Sequence, residues 1–116
     1  MKVKITVGTR TICAAFYDNE AAKKLWEQLP AVLPMMNLYG REMCCRMGNG
    51  ALPAKEAKDS GYAVGDISYW PLAGSLILFY RQNGEVFKQQ PIGHTEDEVS
   101  FLADMMDTQV LFEKAE

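Results

Sequence analysis

Residues 65–80 read GDISYWPLAGSLILFY, two apolar runs joined through Trp70-Pro71 and the small-residue turn Ala73-Gly74-Ser75. Proline and glycine punctuate extended chain, so residues 66–70 and 76–80 read as consecutive strands with a turn between them. Side chains alternate across a strand. Ile67 and Tyr69 therefore share one face while Ser68 and Trp70 share the other. One side can feed a core as the other sets an indole at the rim of a surface groove.

Working downstream, Gln82-Asn83-Gly84-Glu85 carries the Asn-Gly pair of a hairpin turn, and residues 86–88 make a short strand before Pro91-Ile92-Gly93-His94. Thr95, with Glu98 three residues on, has the form of a capping box, which predicts a helix over residues 95–106. Its apolar face is Val99, Leu102, Ala103 and Met106, and residues 108–113 follow as a last strand.

Working upstream, residues 48–65 form the longest loop, rich in glycine and charge. Its plain reading is a solvated crossover, although loops of this length often act as lids. Before it come two strands, AVLPMMNLY and REMCCRM, separated by Gly40. In the second, period two sets Arg41, Met43, Cys45 and Met47 against Glu42, Cys44 and Arg46, so the adjacent cysteines point apart. Asp18 or Asn19 caps a helix whose stripe is Ala21, Ala22, Leu25, Trp26 and Leu29, and Pro30 stops it. The first seventeen residues read as a hairpin turned at Gly8-Thr9, with Cys13 expected as a small core residue.

Composition excludes several classes. A chain of 116 residues is one domain, residues 1–116, and 48% hydrophobic with 23% charged residues is globular rather than disordered. Twelve basic and 15 acidic residues are spread along the chain, so no basic stripe is available for nucleic acid. No segment approaches the roughly 20 apolar residues that span a bilayer, and the start lacks the apolar run of a signal peptide, so a cytoplasmic protein without a membrane partner is expected. Three cysteines argue for free thiols. A lone histidine, His94, and a Cys-Cys pair are too few ligands for zinc, so neither metal nor other cofactor is expected. Many short strands and two helices imply a closed or nearly closed β-barrel whose helices cap its ends.

With its G-D-I-S-Y-W-P segment, small-residue turn, apolar strand ending in aromatics and following I-G-H, the sequence resembles the small prokaryotic cyclophilin-like proteins, a group of unassigned activity. The resemblance implies a mainly β fold: a closed eight-stranded barrel with two capping α-helices, related to the peptidyl-prolyl isomerases. In those enzymes an arginine hydrogen-bonds the proline nitrogen and lowers a rotation barrier of about 18–20 kcal/mol. A glutamine and aromatic residues position the peptide beside it. The resemblance puts Leu76 at the glutamine position and Leu78 at a pocket phenylalanine, unless the register slips by one, and Trp70 where a small groove residue is expected. Leucine cannot bond an amide.

Either Arg41 or Arg46 could stand for the arginine. The candidate groove is therefore Arg41, Met43, Arg46, Met47, Tyr69, Trp70, Leu76, Leu78, Phe79 and His94. The expectation is a module binding a small molecule or proline-containing peptide without normal isomerase activity; the alternative is a weak or altered isomerase. No nucleophile and base stand at motif spacing. Oligomeric state is not encoded in any motif.

Overall fold

The computed structural model describes residues 1–115. Nine strands and one α-helix follow in the order β1 (Lys2–Val7), β2 (Arg10–Phe16), α1 (Glu20–Glu27), β3 (Ala31–Leu38), β4 (Glu42–Arg46), β5 (Lys58–Ser60), β6 (Asp66–Trp70), β7 (Ser75–Phe79), β8 (Phe87–His94) and β9 (Thr108–Lys114). Their hydrogen-bonded order is β2-β1-β9-β3-β4-β7-β6-β8-β5, and β2 also pairs with β8. Eight strands thus run in a ring, as expected. The short β5 shares the free side of β8 end to end with β2, pairing at Phe87–Gln89 while β2 pairs at Gly93 and His94.

Alternation builds the N-terminal side of the ring. Val3, Ile5 and Val7 point inward, as do Ile12, Ala14 and Phe16 of β2. Cys13, expected in the core, is exposed, because it stands between two inward positions of a strictly alternating strand. Inside, these side chains meet Ile67, Tyr69, Leu76, Leu78, Ile92, Val110 and Phe112 in one continuous core. The ring closes where β8 passes β2: a Cβ added at Gly93 would lie 2.4 Å from the Ala15 carbonyl oxygen. Only glycine allows that approach.

One end of the barrel is plugged by α1, whose Ala21, Ala22 and Leu25 are buried. Its cap is Asn19, whose Oδ1 accepts from the Ala22 amide at 2.8 Å while its Nδ2 donates to the Pro91 carbonyl at 3.0 Å. Trp26 is half-buried against the core, with the Lys114 ammonium 5.2 Å from its ring.

The helix expected over residues 95–106 is reduced to a 3-10 turn, Ser100–Asp104, so the barrel has one capping α-helix and not two. Thr95 Oγ1 donates to the Cys13 carbonyl at 2.6 Å and accepts from the Asp97 amide, while Glu98 accepts from the Ser100 amide. The two halves of the capping box are thereby engaged elsewhere. Asn37 holds the short turn: its Nδ2 donates to the carbonyls of Leu102, Ala103 and Met105, and its Oδ1 accepts from the Tyr80 hydroxyl.

Residues 48–65 are more than a solvated crossover. Leu52 enters the barrel core, β5 pairs with β8, and Tyr62 is buried on the outside of the wall. The strand expected at residues 86–88 runs on through the Pro-Ile-Gly-His segment to His94.

Candidate functional site

The register of β4 and β7 fixes which side chains face out. Glu42, Cys44 and Arg46 pair with Phe79, Ile77 and Ser75, while Met43 and Cys45 pair with Leu78 and Leu76. The second set lies in the barrel core; Cys44, Ile77 and Phe79 belong to a separate outer cluster with Tyr62. The adjacent cysteines do point apart, and burial raises the pKa of both thiols, which keeps them protonated.

An aromatic layer covers this outer face. Tyr62 stacks on Phe79 at 3.8 Å between ring centroids, and Phe87 lies about as far from Phe79 as from Trp70, 6.0 Å in each case. Tyr62 is clamped from above: its hydroxyl donates to the Arg81 carbonyl at 2.8 Å and accepts from the Asn83 amide at 2.9 Å. The hairpin turn expected at Asn83-Gly84 is instead a loop, because β7 and β8 do not pair and β6 stands between them, and this loop holds the end of the 48–65 segment against the wall.

At the edge of this layer stands Arg41, 4% exposed. It lies in the β3–β4 turn rather than on β4, which is why strand alternation does not send it inward with Met43. The preceding Tyr39 has φ 61 and Gly40 has φ 58. Positive φ at both central residues gives the turn its twist and is costly for tyrosine.

The Arg41 guanidinium lies 4.5 Å from the Phe87 ring centroid and 5.0 Å from that of Tyr39. Its Nε donates to Glu42 Oε1 at 2.6 Å and its Nη1 to Glu85 Oε2 at 2.6 Å, with Nη2 also on Glu42. The two carboxylates differ. Glu42 is fully buried, its Oε2 has no partner, and burial raises its pKa against the opposing pull of Arg41. Glu85 has a side chain 55% exposed. Tyr39, Arg41, Trp70, Asn83, Glu85 and Phe87 line a cleft of about 370 Å³. It offers flat apolar walls, a fixed cation, and one half-exposed carboxylate, whose Oε1 accepts from Asn83 Nδ2 at 3.2 Å.

Of the candidate residues, this cleft brings together Arg41 and Trp70, with Phe79 buried beneath Phe87. Met43, Tyr69, Leu76 and Leu78 face the barrel interior, and Met47 is half-buried against it. The Tyr69 hydroxyl donates to the Gly48 carbonyl at 2.8 Å. Arg46 stands at the far end of β4, donating to Ser75 Oγ at 2.8 Å. His94 is across the wall, its Nδ1 2.7 Å from Asp66 Oδ1 and its Nε2 3.0 Å from Glu96 Oε1. Both ring nitrogens are thus occupied: Nδ1 clips the end of β8 to the start of β6, and Nε2 contacts Glu96 two residues on. Glu42, Tyr39, Glu85 and Phe87 were not among the candidates. A glutamate inside the apolar run EMCC was the available signal for the first of them.

Among the described residues, no three His, Cys, Asp or Glu side chains gather to hold a metal, and no helix is long and apolar enough to cross a membrane.

A ring of eight strands with an aromatic cleft on its outer wall defines a small barrel of cyclophilin type. The family model described as "Cyclophilin-like family" matches residues 5–113, and the chain belongs to that family. The solution structure of the hypothetical protein AF2241 from Archaeoglobus fulgidus is similar in fold, with a TM-score of 0.74 at 18% identity, covering 99% of this chain and 95% of that one. No curated protein matches the sequence.

Proposed function

We propose that this chain is a ligand-binding module, and that its ligand lies in the cleft between Tyr39, Trp70 and Phe87 with a carboxylate on Arg41. The arrangement of Arg41 carries the reading. Its guanidinium is held by buried Glu42 on one side and by half-exposed Glu85 on the other, so an incoming carboxylate can take the place of Glu85 without leaving a buried charge unpaired. A flat apolar group attached to that carboxylate would rest against the rings of Trp70 and Phe87. Tyr39, in a backbone conformation that costs tyrosine about 1–2 kcal/mol, supports the cation from its other side.

Efficient prolyl isomerase activity is not part of this reading. The outward positions of β7 are Ser75, Ile77 and Phe79, so neither register supplies the glutamine of the enzymes. Arg41 has both Nε and Nη1 committed to carboxylates. The exposure of Glu85 favours a second reading, weak isomerase activity, because its release frees one N–H for a proline nitrogen.

Titration with benzoate and indole-3-acetate, followed by the indole N–H resonance of Trp70, tests the proposal. Saturable shifts are expected, strengthened several-fold in Glu85→Gln and lost in Arg41→Met. Exchange spectroscopy on a succinyl-Ala-Ala-Pro-Phe peptide decides between the readings. Catalysed exchange without aromatic-acid binding would replace the first with the second.

A further inference from the structure

On the wall made by β6 and β8, Ile67, Tyr69 and Ile92 point into the barrel core. Alternation therefore sets Ser68, Gln89 and Pro91 on the outer face, with Ser68 opposite Pro91 beside a register shift at Ile67 and Ser68. Outward polar residues of a barrel ordinarily meet water. Ser68 and Gln89 are instead 4% and 5% exposed, and with Tyr17, Asp66 and Pro91 they line a cavity of about 220 Å³ beside the chain leaving β5 at Ser60 and Gly61.

The polar groups of this cavity are not spent on one another. Gln89 Nε2 donates to the carbonyls of Ser60 and Gly61 at 3.0 and 3.2 Å, which fixes the amide and turns its Oε1 away from them. Among the described residues that Oε1 has no hydrogen-bond partner, and neither has Ser68 Oγ or the Tyr17 hydroxyl. Buried polar groups are ordinarily bonded. The fully enclosed side-chain atom left without a partner is Glu42 Oε2, so Ser68 Oγ and Gln89 Oε1 each keep an open side, and the cavity is what that side faces. Asp66 completes the set. Its Oδ1 lies 2.7 Å from His94 Nδ1, its Oδ2 accepts from the Ala63 amide at 2.8 Å, and each oxygen retains a second lone pair. Its charge reaches Tyr17, where burial first and Asp66 second raise the pKa and keep the hydroxyl protonated.

We infer that this cavity is a binding site for a guanidinium group, with Gln89 Oε1, Ser68 Oγ and Asp66 as its acceptors. The balance of donors and acceptors selects that chemistry. An amide oxygen and a carboxylate only accept, hydroxyls can turn to accept, and the lining holds no lysine or arginine, so the ligand must bring both N–H groups and positive charge. A guanidinium spreads five N–H donors around one plane and can meet acceptors on different strands, whereas an ammonium is compact and more strongly hydrated. Tyr17 and Pro91 supply flat walls for that plane. No residue lining the Arg41 cleft lines this cavity, so the two sites stand or fall separately.

The test titrates the full chain, ¹⁵N-labelled, with Ac-Arg-NH2, with its neutral urea isostere Ac-citrulline-NH2 and with Ac-Lys-NH2. Saturable shifts are expected in the Ser68 backbone amide and the Gln89 side-chain NH2, with the arginine compound bound about tenfold tighter than either control. Agmatine and Ac-Gly-Arg-Gly-NH2 separate the sources of the group. Tighter agmatine assigns the site to a free guanidinium compound, and a tighter peptide assigns it to an arginine side chain of a partner protein. Ser68→Ala deletes a hydroxyl that has no partner in the chain, so it should weaken Ac-Arg-NH2 about threefold and leave the urea midpoint unchanged. Asp66→Asn should weaken it about tenfold. If loss of the His94 contact unfolds that variant, Ser68→Ala and the ligand comparison on the native chain still decide. Equal binding of Ac-Arg-NH2 and either control would overturn the inference, as would unmoved Ser68 and Gln89 resonances at millimolar ligand or undiminished binding by Ser68→Ala.

Discussion

The β1–β2 side of the barrel and the β4–β7 side obey the same geometry and look unlike each other in sequence. On β1, Lys2 and Lys4 are exposed while Val3, Ile5 and Val7 are buried. On β7 every residue from Ser75 to Phe79 is buried, and on β4 so are Glu42 to Cys45. The difference lies in what stands outside. On β1 the outward Lys2 and Lys4 stay exposed among the described residues; Tyr62 and Phe87 lie over β4 and β7, so the outward Cys44, Ile77 and Phe79 are buried as the inward residues are. A continuous apolar run in a single-layered barrel thus reports an external cover. The third case is β3, whose outer Val32 and Pro34 are apolar and stay exposed.

The largest effect that would break this comparison comes from Phe79→Ala. If the outer cluster is a true second core, the change costs about 3–5 kcal/mol in urea unfolding, as deletion of the inward Phe112 would. Lys4→Ala on the outside of β1 should stay within about 0.5 kcal/mol. A small effect of Phe79→Ala would mean that the cover is not packed. Next is Asn37→Ala, which leaves three carbonyls and the Tyr80 hydroxyl without their partner and should cost about 2 kcal/mol, read from the same denaturation curves.

Glu42 sharpens the contrast through pH. Burial raises its pKa, so the folded chain holds that proton more tightly than the unfolded chain does. Its contribution is fully present below the ordinary carboxylate range, about pH 4, and is lost as pH rises from there through the raised value. Glu42→Gln should flatten this decline in a series of unfolding midpoints against pH. The smallest change is Tyr39→Asn. Asparagine tolerates positive φ, so stability should rise by about 1 kcal/mol while aromatic-acid binding at Trp70 weakens.

Much of the ring was legible because alternation and turn residues are local signals. The hairpin at Gly8, the Asn19 cap and the strand at residues 66–70 follow from short stretches of chain. What stayed hidden depended on distant partners. The helix after Thr95 failed because its capping groups bond Cys13 and Ser100 instead, and the helical turn is tied to Asn37 on β3. The site was legible only in part for the same reason. Trp70 could be placed outward by parity, but Arg41 sits in a turn where parity does not hold, and Leu76 and Leu78 face inward by a register that only pairing with β4 reveals. His94, a candidate by its solitude in the sequence, is spent between Asp66 and Glu96.

The position of β9 has its own consequence for how the chain is made. It pairs with β1 on one side and β3 on the other, so together with the β2–β8 pairing it joins the first hairpin to the rest of the wall. Until its residues are synthesised, β1 and β3 have no common neighbour and the ring cannot close. The N-terminal hairpin must wait as a half-exposed fragment for nearly the whole length of the chain, a long-range closure of the kind that slows folding and leaves apolar edges open to chaperones in the meantime.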